Sequence, residues 1–152
     1  MDNEALKTRL TELLPAITFE EGTALLTANA EGAGWLPLAQ ALRNEAALGF
    51  DYLFCVTCVD WKTHIGMVYH LESTSHRHSI VIKVKLDHKK PEVETVSHIW
   101  KTAEFHEREA YEMFGVNFLN HPDLRLLILP DGWEGRHPMR KDYDDPVNMI
   151  KL

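Results

Sequence analysis

From Ile65 to Val84, apolar side chains recur at every second position on both sides of a short polar turn. Only a pleated strand puts alternate residues on one face, so this segment commits the chain to an antiparallel hairpin with one buried side. Centring the turn on Thr74 and Ser75 pairs Leu71 with His78, Tyr69 with Ile80, Met67 with Ile82 and Ile65 with Val84. The same register sets Glu72 opposite Arg77, an opposite-charge pair worth up to about 1 kcal/mol.

Other elements follow from local signals. An amphipathic helix is predicted over Asn3 to Leu14, stopped by Pro15. "ITFEEGTALLTANAEG" reads as a short strand, a turn at Gly22 and a second strand. Helical spacing returns from Leu36 to Leu48, with Pro37 in the first turn and Gly49 as the cap. A strand from Asp51 to Trp61 precedes the hairpin, and a helical region from about Val93 to Phe114, broken near Lys101, follows it.

At 152 residues the chain can bury roughly 70% of its unfolded surface, enough for one core. Its net charge of -7 and the lack of a Lys/Arg stripe argue against a nucleic-acid partner. The N-terminus lacks the basic start and apolar stretch of an export signal, and no run of about eighteen apolar residues could span a membrane.

Cys55 and Cys58 form "CVTC", but a separation of three along a strand puts their thiols on opposite faces, so they read as inert core residues. Among nine histidines, His76 and His78 share a face, a possible ligand spacing, yet nothing nearby completes a zinc shell. His70 falls on the opposite face, while His64, His88 and His98 read as solvent or loop residues. The chain has no phosphate loop and no Gly-x-Ser-x-Gly or His-Glu-x-x-His motif. No catalytic, cofactor-binding or metal-binding residue is therefore assigned. A free-standing histidine metalloenzyme is the alternative that a metal analysis tests.

The segment from Ala103 to Phe114 breaks the simple pattern. Projected at about 100° per residue, Ala103, Ala110, Tyr111, Met113 and Phe114 share one arc, while Glu104, Arg108, Glu109 and Glu112 lie opposite. Glu107 falls inside the apolar arc. A carboxylate buried alone costs several kcal/mol, so Glu107 must reach the edge, meet a basic group, or be hydrogen-bonded or protonated. Glu104–Arg108 and Arg108–Glu112 read as i,i+4 pairs on the outer face.

Gly115 ends this helix, and residues 116–152 carry four of the seven prolines, which rules out a long helix or a central strand. Yet "LRLLIL" and Trp133 are too apolar to stay solvated. The segment reads as a docking arm with charged clips at Arg136, Arg140, Lys141 and Asp142, ordered only on a partner. Residues 1–115 then form the single domain.

"EREAYEMFGVNFLNHPDLR" (107–125) and "GWEGRHPMRKDY" (132–143) resemble the signature of the C-type, or 30 kDa, subunit family of the respiratory NADH:quinone oxidoreductase, complex I. The matching positions are Glu107, Arg108 and Glu109; Phe114 and Gly115; His121, Pro122, Leu124 and Arg125; then Pro138, Arg140, Lys141 and Asp142. Upstream, "VDW" at Val59 to Trp61 and the hairpin also resemble the family. Three positions depart from it: Glu112 where Asp is more frequent, Asn120 for a common Gly, and Leu126 for the second residue of an Arg-Arg pair.

The resemblance implies an α/β (α+β) two-layer domain, with a mixed β-sheet packed by helices and a long extended C-terminal tail. It implies a non-catalytic subunit on the cytoplasmic side of an energy-transducing membrane, docked on the D-type quinone-pocket subunit and the B-type iron-sulfur subunit, with the I-type ferredoxin-like iron-sulfur subunit nearby. FMN, iron-sulfur clusters, NADH and quinone belong to other subunits, and none is bound by this chain. Glu107, Arg108 and Glu109 are expected to organise the junction of helix and tail, and His121, Pro122, Arg125, Arg140, Lys141 and Asp142 to make the interface. Equivalent subunits of energy-converting hydrogenases and of ferredoxin-fed quinone oxidoreductases share the signature, so the electron donor stays open.

Overall fold

The hairpin forms with the predicted faces but a different register. In the computed structural model, which describes residues 2–150, β4 (His64–Ser73) and β5 (His78–Asp87) pair Leu71 with Ile80, Tyr69 with Ile82, Met67 with Val84 and Ile65 with Leu86. Ser73 and His78 close a loop of Thr74 to Arg77, with Arg77 left-handed at φ 57° and its N–H donating to the Ser73 carbonyl. The slip from the predicted register is two residues, which preserves every face because side chains alternate with period two. Glu72 consequently lies opposite Ser79, not Arg77. Non-local bonds select this loop: the Asp51 carboxylate accepts from the Thr74 N–H and hydroxyl. His76 and His78 donate Nε2–H to the carbonyls of Ala46 and Leu48. Those nitrogens are thereby spent on backbone.

Around the hairpin the order is α1 (Asn3–Leu13), β1 (Thr18–Glu20), β2 (Leu26–Glu31), α2 (Gly32–Asn44), β3 (Tyr52–Asp60), then β4 and β5, β6 (Glu92–Glu94), α3 (Ala103–Phe114) and β7 (Asn117–Leu119). The five-stranded sheet has the order β1-β2-β5-β4-β3, antiparallel except where β2 lies parallel to β5. A separate parallel pair joins β6 and β7. This is the mixed sheet with helices expected of the α+β class.

Two helix boundaries differ from the sequence reading. α2 starts at Gly32 and ends at Asn44, with Pro37 inside it and Gly49 (φ 54°) closing the turn beyond. The stretch from Val93 is not helical: Val93 pairs with Phe118 across β6 and β7, and turns carry the chain to α3 at Ala103.

The core gathers on the hairpin face predicted to be buried. Ile65, Met67, Tyr69, Leu71, Ile80, Ile82 and Val84 pack with Leu6 and Leu10 of α1, Trp35, Leu38 and Leu42 of α2, and Ala103 and Ala110 of α3. Trp35 and Tyr69 rings lie 4.3 Å apart. Val116 and Phe118, at the root of the expected tail, belong to the same core.

Cys58 pairs with Met67 on the core face and Cys55 with His70 on the other, so the thiols do lie on opposite faces. Burial pushes the Cys58 thiol up to about 12, which keeps it protonated and unreactive at neutral pH.

Candidate interface site at the junction of helix and tail

Helix α3 leaves its last carbonyls without intrahelical partners, and the tail supplies them. His137 donates Nδ1–H to the Glu112 carbonyl (3.0 Å), the Met139 N–H donates to Met113 (3.0 Å), and Arg140 donates Nη1–H to Phe114 (3.1 Å). No basic residue lies in the last turn of α3, so Arg140 also brings the positive charge that the negative helix end favours.

This capping requires Gly115. Its φ of 77° is left-handed, and a Cβ built there would meet the His137 ring at 2.9 Å. Gly115→Ala is expected to lower stability by about 2 kcal/mol, combining backbone strain with displacement of His137. Denaturant unfolding measures the loss, and the His137 ring resonances report the displacement.

Arg108 and Glu112 do not form the solvent-facing pairs predicted for them, because both are buried and turn to the tail. Arg108 donates Nε–H to the Arg125 carbonyl (3.1 Å) and Nη2–H to that of Leu126 (2.6 Å). The Glu112 carboxylate accepts from the N–H groups of Leu127 (2.8 Å), Ile128 (3.0 Å) and Leu129 (3.2 Å). One turn of α3 therefore reads the backbone of residues 125–129 with a cation for its carbonyls and an anion for its amides. The tail therefore has anchors within the chain itself. Glu104 pairs with Lys101 instead of Arg108.

Glu107 is fully buried, as its place in the apolar arc requires. It does not reach solvent, and no cation among the described residues sits against it. Val96 N–H donates to Oε1 (2.9 Å) and the Thr95 hydroxyl to Oε2. Burial outweighs these bonds and raises the carboxyl to about 7. The buried His121 side chain is nearby, with Nε2 3.6 Å from Glu107 Oε2, too far for a hydrogen bond. Its Nδ1 accepts the Asp123 N–H (3.0 Å), so the ring proton sits on Nε2 and is donated to the Glu104 carbonyl (3.0 Å).

A second carboxylate, Asp60 at the end of β3, holds the far part of the tail. Its Oδ1 accepts from Lys62 N–H (2.7 Å) and His88 Nε2–H (2.9 Å), and its Oδ2 from Lys141 N–H (2.8 Å). Arg140 donates Nη2–H to both Nδ1 (3.1 Å) and the carbonyl (2.9 Å) of His88, and Nε–H to Asp142 (3.0 Å). Burial pushes Asp60 up, but the amides of Lys141 and Lys62, with His88, outweigh it and hold the carboxyl below the usual range. His88 is thus a member of this chain of bonds, not the solvent residue predicted.

Of the residues singled out from sequence, Glu107, Arg108, His121 and Arg140 meet in the junction. Glu109, Pro122 and the side chains of Arg125 and Lys141 point outward, with Arg125 paired to Asp123 at 2.9 Å. Sequence reasoning missed Asp60, Thr95 and His137 and placed Glu112 on the wrong side. The available signals were an aspartate ending a buried apolar strand and the place of Asp60 and His137 within segments that resemble the family. Outward-facing apolar groups also cluster near the clamp: Phe105, with the Arg108 guanidinium 5.5 Å from its ring centre, Leu127 and Ile128.

The model of the family "Respiratory-chain NADH dehydrogenase, 30 Kd subunit" matches residues 28–147. The chain is 46% identical over 115 residues to the C/D-type subunit of the NADH-quinone oxidoreductase of Phocaeicola vulgatus, covering 74% of this chain and 22% of that one. It is 40% identical over 111 residues to the C-type subunit of the same enzyme from Chloroherpeton thalassium, covering 72% and 46%. Against the C-type subunit of Roseiflexus castenholzii it is 33% identical over 147 residues, covering 93% and 84%. The match thus spans less than half the length of the first two relatives. Among solved structures, a trypsin-resistant fragment of Nqo5 superposes with a TM-score of 0.68 at 24% identity, covering 82% of this chain and all of the fragment, which supports the fold. A chain of the membrane-bound sulfane sulfur reductase, an archaeal respiratory membrane complex, superposes at 0.72 with 26% identity, covering 93% of this chain and 85% of that one.

Proposed function

The chain belongs to the 30 kDa subunit family of the respiratory-chain NADH dehydrogenase, and from that premise we propose that it is a scaffold subunit of an NADH:quinone oxidoreductase, contributing structure and not a catalytic group. Its partners are the D-type quinone-pocket subunit and the B-type iron-sulfur subunit, with the I-type ferredoxin-like subunit beside them. Flavin, clusters, NADH and quinone are carried by those and other subunits, and the chain sits peripherally on the cytoplasmic face of the membrane. Among the described residues, no helix is long and apolar enough to cross a membrane.

The use made of the buried polar groups carries this reading. Asp60, Glu107, Glu112, Arg108, His121 and Arg140 all bind main-chain groups, and each makes at least one bond in which the tail or α3 takes part. That arrangement positions a surface. Pairing with a D-like partner is supported by relatives whose C/D-type name joins both in one longer chain. The docking arm is residues 116–152, rooted in the core by Val116 and Phe118 and presenting Leu127 and Ile128 outward.

Purifying the tagged full chain from detergent-solubilised membranes and identifying the co-purifying subunits tests the proposal. Recovery of cluster-bearing and quinone-pocket subunits is expected. Ile128 is 61% exposed, so Ile128→Asp should leave the fold intact while weakening recovery of the D-like partner about tenfold or more. Undiminished recovery would move the docking surface elsewhere. The likeness to the sulfane sulfur reductase complex favours a second reading, in which a related membrane respiratory complex takes electrons from another donor. Flavin-bearing NADH-input subunits in the purified assembly decide for the first reading, and their replacement by another input module decides for the second.

A further inference from the structure

Among the described residues, the fully buried carboxyl of Glu107 has no cation in hydrogen-bonding contact. The charged and titratable groups around it come from α3, from β4 and β3, and from the tail. Glu104 lies one turn earlier on α3 and disfavours a second negative charge. Tyr69 of β4 is wholly buried, with the indole N–H of Trp35 beside its hydroxyl. Cys58 of β3 lies close enough to Tyr69 to affect it electrostatically. On the tail side is His121, and Thr95 and Val96 complete the surroundings. Burial and the nearby Glu104 outweigh the Thr95 and Val96 donors and set its titration near neutral pH; when neutral, its Oε2–H is donated to Thr95 Oγ1, whose own proton goes to Ser97 Oγ (2.8 Å).

His121 connects that titration to the tail. Its Nε2–H is donated to a neutral carbonyl, that of Glu104, at 3.0 Å, while Glu107 Oε2 lies 3.6 Å from the same nitrogen. An ionised carboxylate is a markedly stronger acceptor than a carbonyl. We propose that Glu107 is a proton switch for the tail: on losing its proton it draws the Nε2–H of His121 from the Glu104 carbonyl to itself. The ring turns, the Asp123 N–H loses its acceptor at Nδ1, and the segment leading into residues 125–129 loosens. Protonation restores the Glu104 and Asp123 bonds. The proton leaves to solvent and returns from it, and the chemistry requires nothing else. The switch operates in the chain itself, independently of the partner on which the tail docks.

Amide exchange in the full chain tests it, with rates corrected for the intrinsic pH dependence. Between about pH 5.5 and 8.5 the protection of the Asp123 amide should fall by about tenfold or more, while that of β5 amides such as Ile82 holds. In Glu107→Gln, which is neutral at every pH, Asp123 protection should no longer depend on pH. A flat wild-type profile, or the same fall in the variant, would overturn the switch. Should the variant not fold, wild-type NMR decides: the Glu107 Cδ shift and the two His121 ring-nitrogen shifts must move with one midpoint. Titration of Glu107 with His121 unmoved, or no titration of Glu107 in this range, overturns it as well.

Discussion

Glu112→Ala is expected to detach residues 125–129 from α3 at a cost of about 3 kcal/mol, while the five-stranded sheet survives. The carboxylate is the acceptor for three consecutive amides, and hydrogen bonds to a charged group contribute about 1.5–3 kcal/mol each, less than additively in one cluster. Alanine leaves those amides without their shared acceptor in a partly buried setting. Chemical denaturation gives the energy, and amide exchange at Leu127, Ile128 and Leu129 gives the location. A loss below about 1 kcal/mol, or unchanged protection at those amides, would mean that the side chains alone hold the segment. Glu112→Asp keeps the charge and shortens the reach by one methylene, so an intermediate loss is expected.

Asp60→Ala should have a comparable effect, about 3 kcal/mol, because it strips the acceptor from Lys62 N–H, His88 Nε2–H and Lys141 N–H together. It also has a pH signature. The Asp60 carboxyl titrates below its ordinary range in the folded chain, so its contribution is present above the unfolded value, near pH 4, and lost as pH falls through the folded one. Glu107 has the opposite sign. Its folded value is raised from 4.5 to about 7, so its contribution is complete below about 4.5 and lost as pH rises through 7. Stability should therefore peak on the mildly acidic side of neutrality, with Asp60→Ala flattening the acid limb and Glu107→Gln the neutral one. A profile whose acid limb is unchanged in Asp60→Ala would assign that limb to other carboxylates.

These effects concern groups whose oddity was partly visible in the chain. Glu107 sits among apolar positions at helical spacing, and that conflict between charge and pattern marked it for burial. Arg140 and His121 stand in the segments that carry the family signature. Glu112 was misplaced because a helical projection knows only the domain side of a helix; the tail returns over the side assigned to solvent and buries it. His88 and Asp60 are far apart in sequence, bond directly to each other and receive Arg140 and the Lys141 N–H from the tail, so no local window contains their bonds.

Which strand faces are buried was legible in the residue order, because alternation is a property of consecutive residues. The same order marked the proline-rich tail as neither helix nor central strand, and placed the two thiols on opposite faces. The hairpin register, the parallel contact of β2 with β5, the β6–β7 pair in place of a helix at Val93, and the carboxylates that hold the tail emerge only in the packed chain. Period-two patterning is unchanged by a two-residue slip, so the choice fell to the bonds of Asp51, His76 and His78 across the loop. Hydrogen-bond partners of buried charges are likewise selected by whichever backbone arrives beside them, and that is settled only when the whole chain has packed.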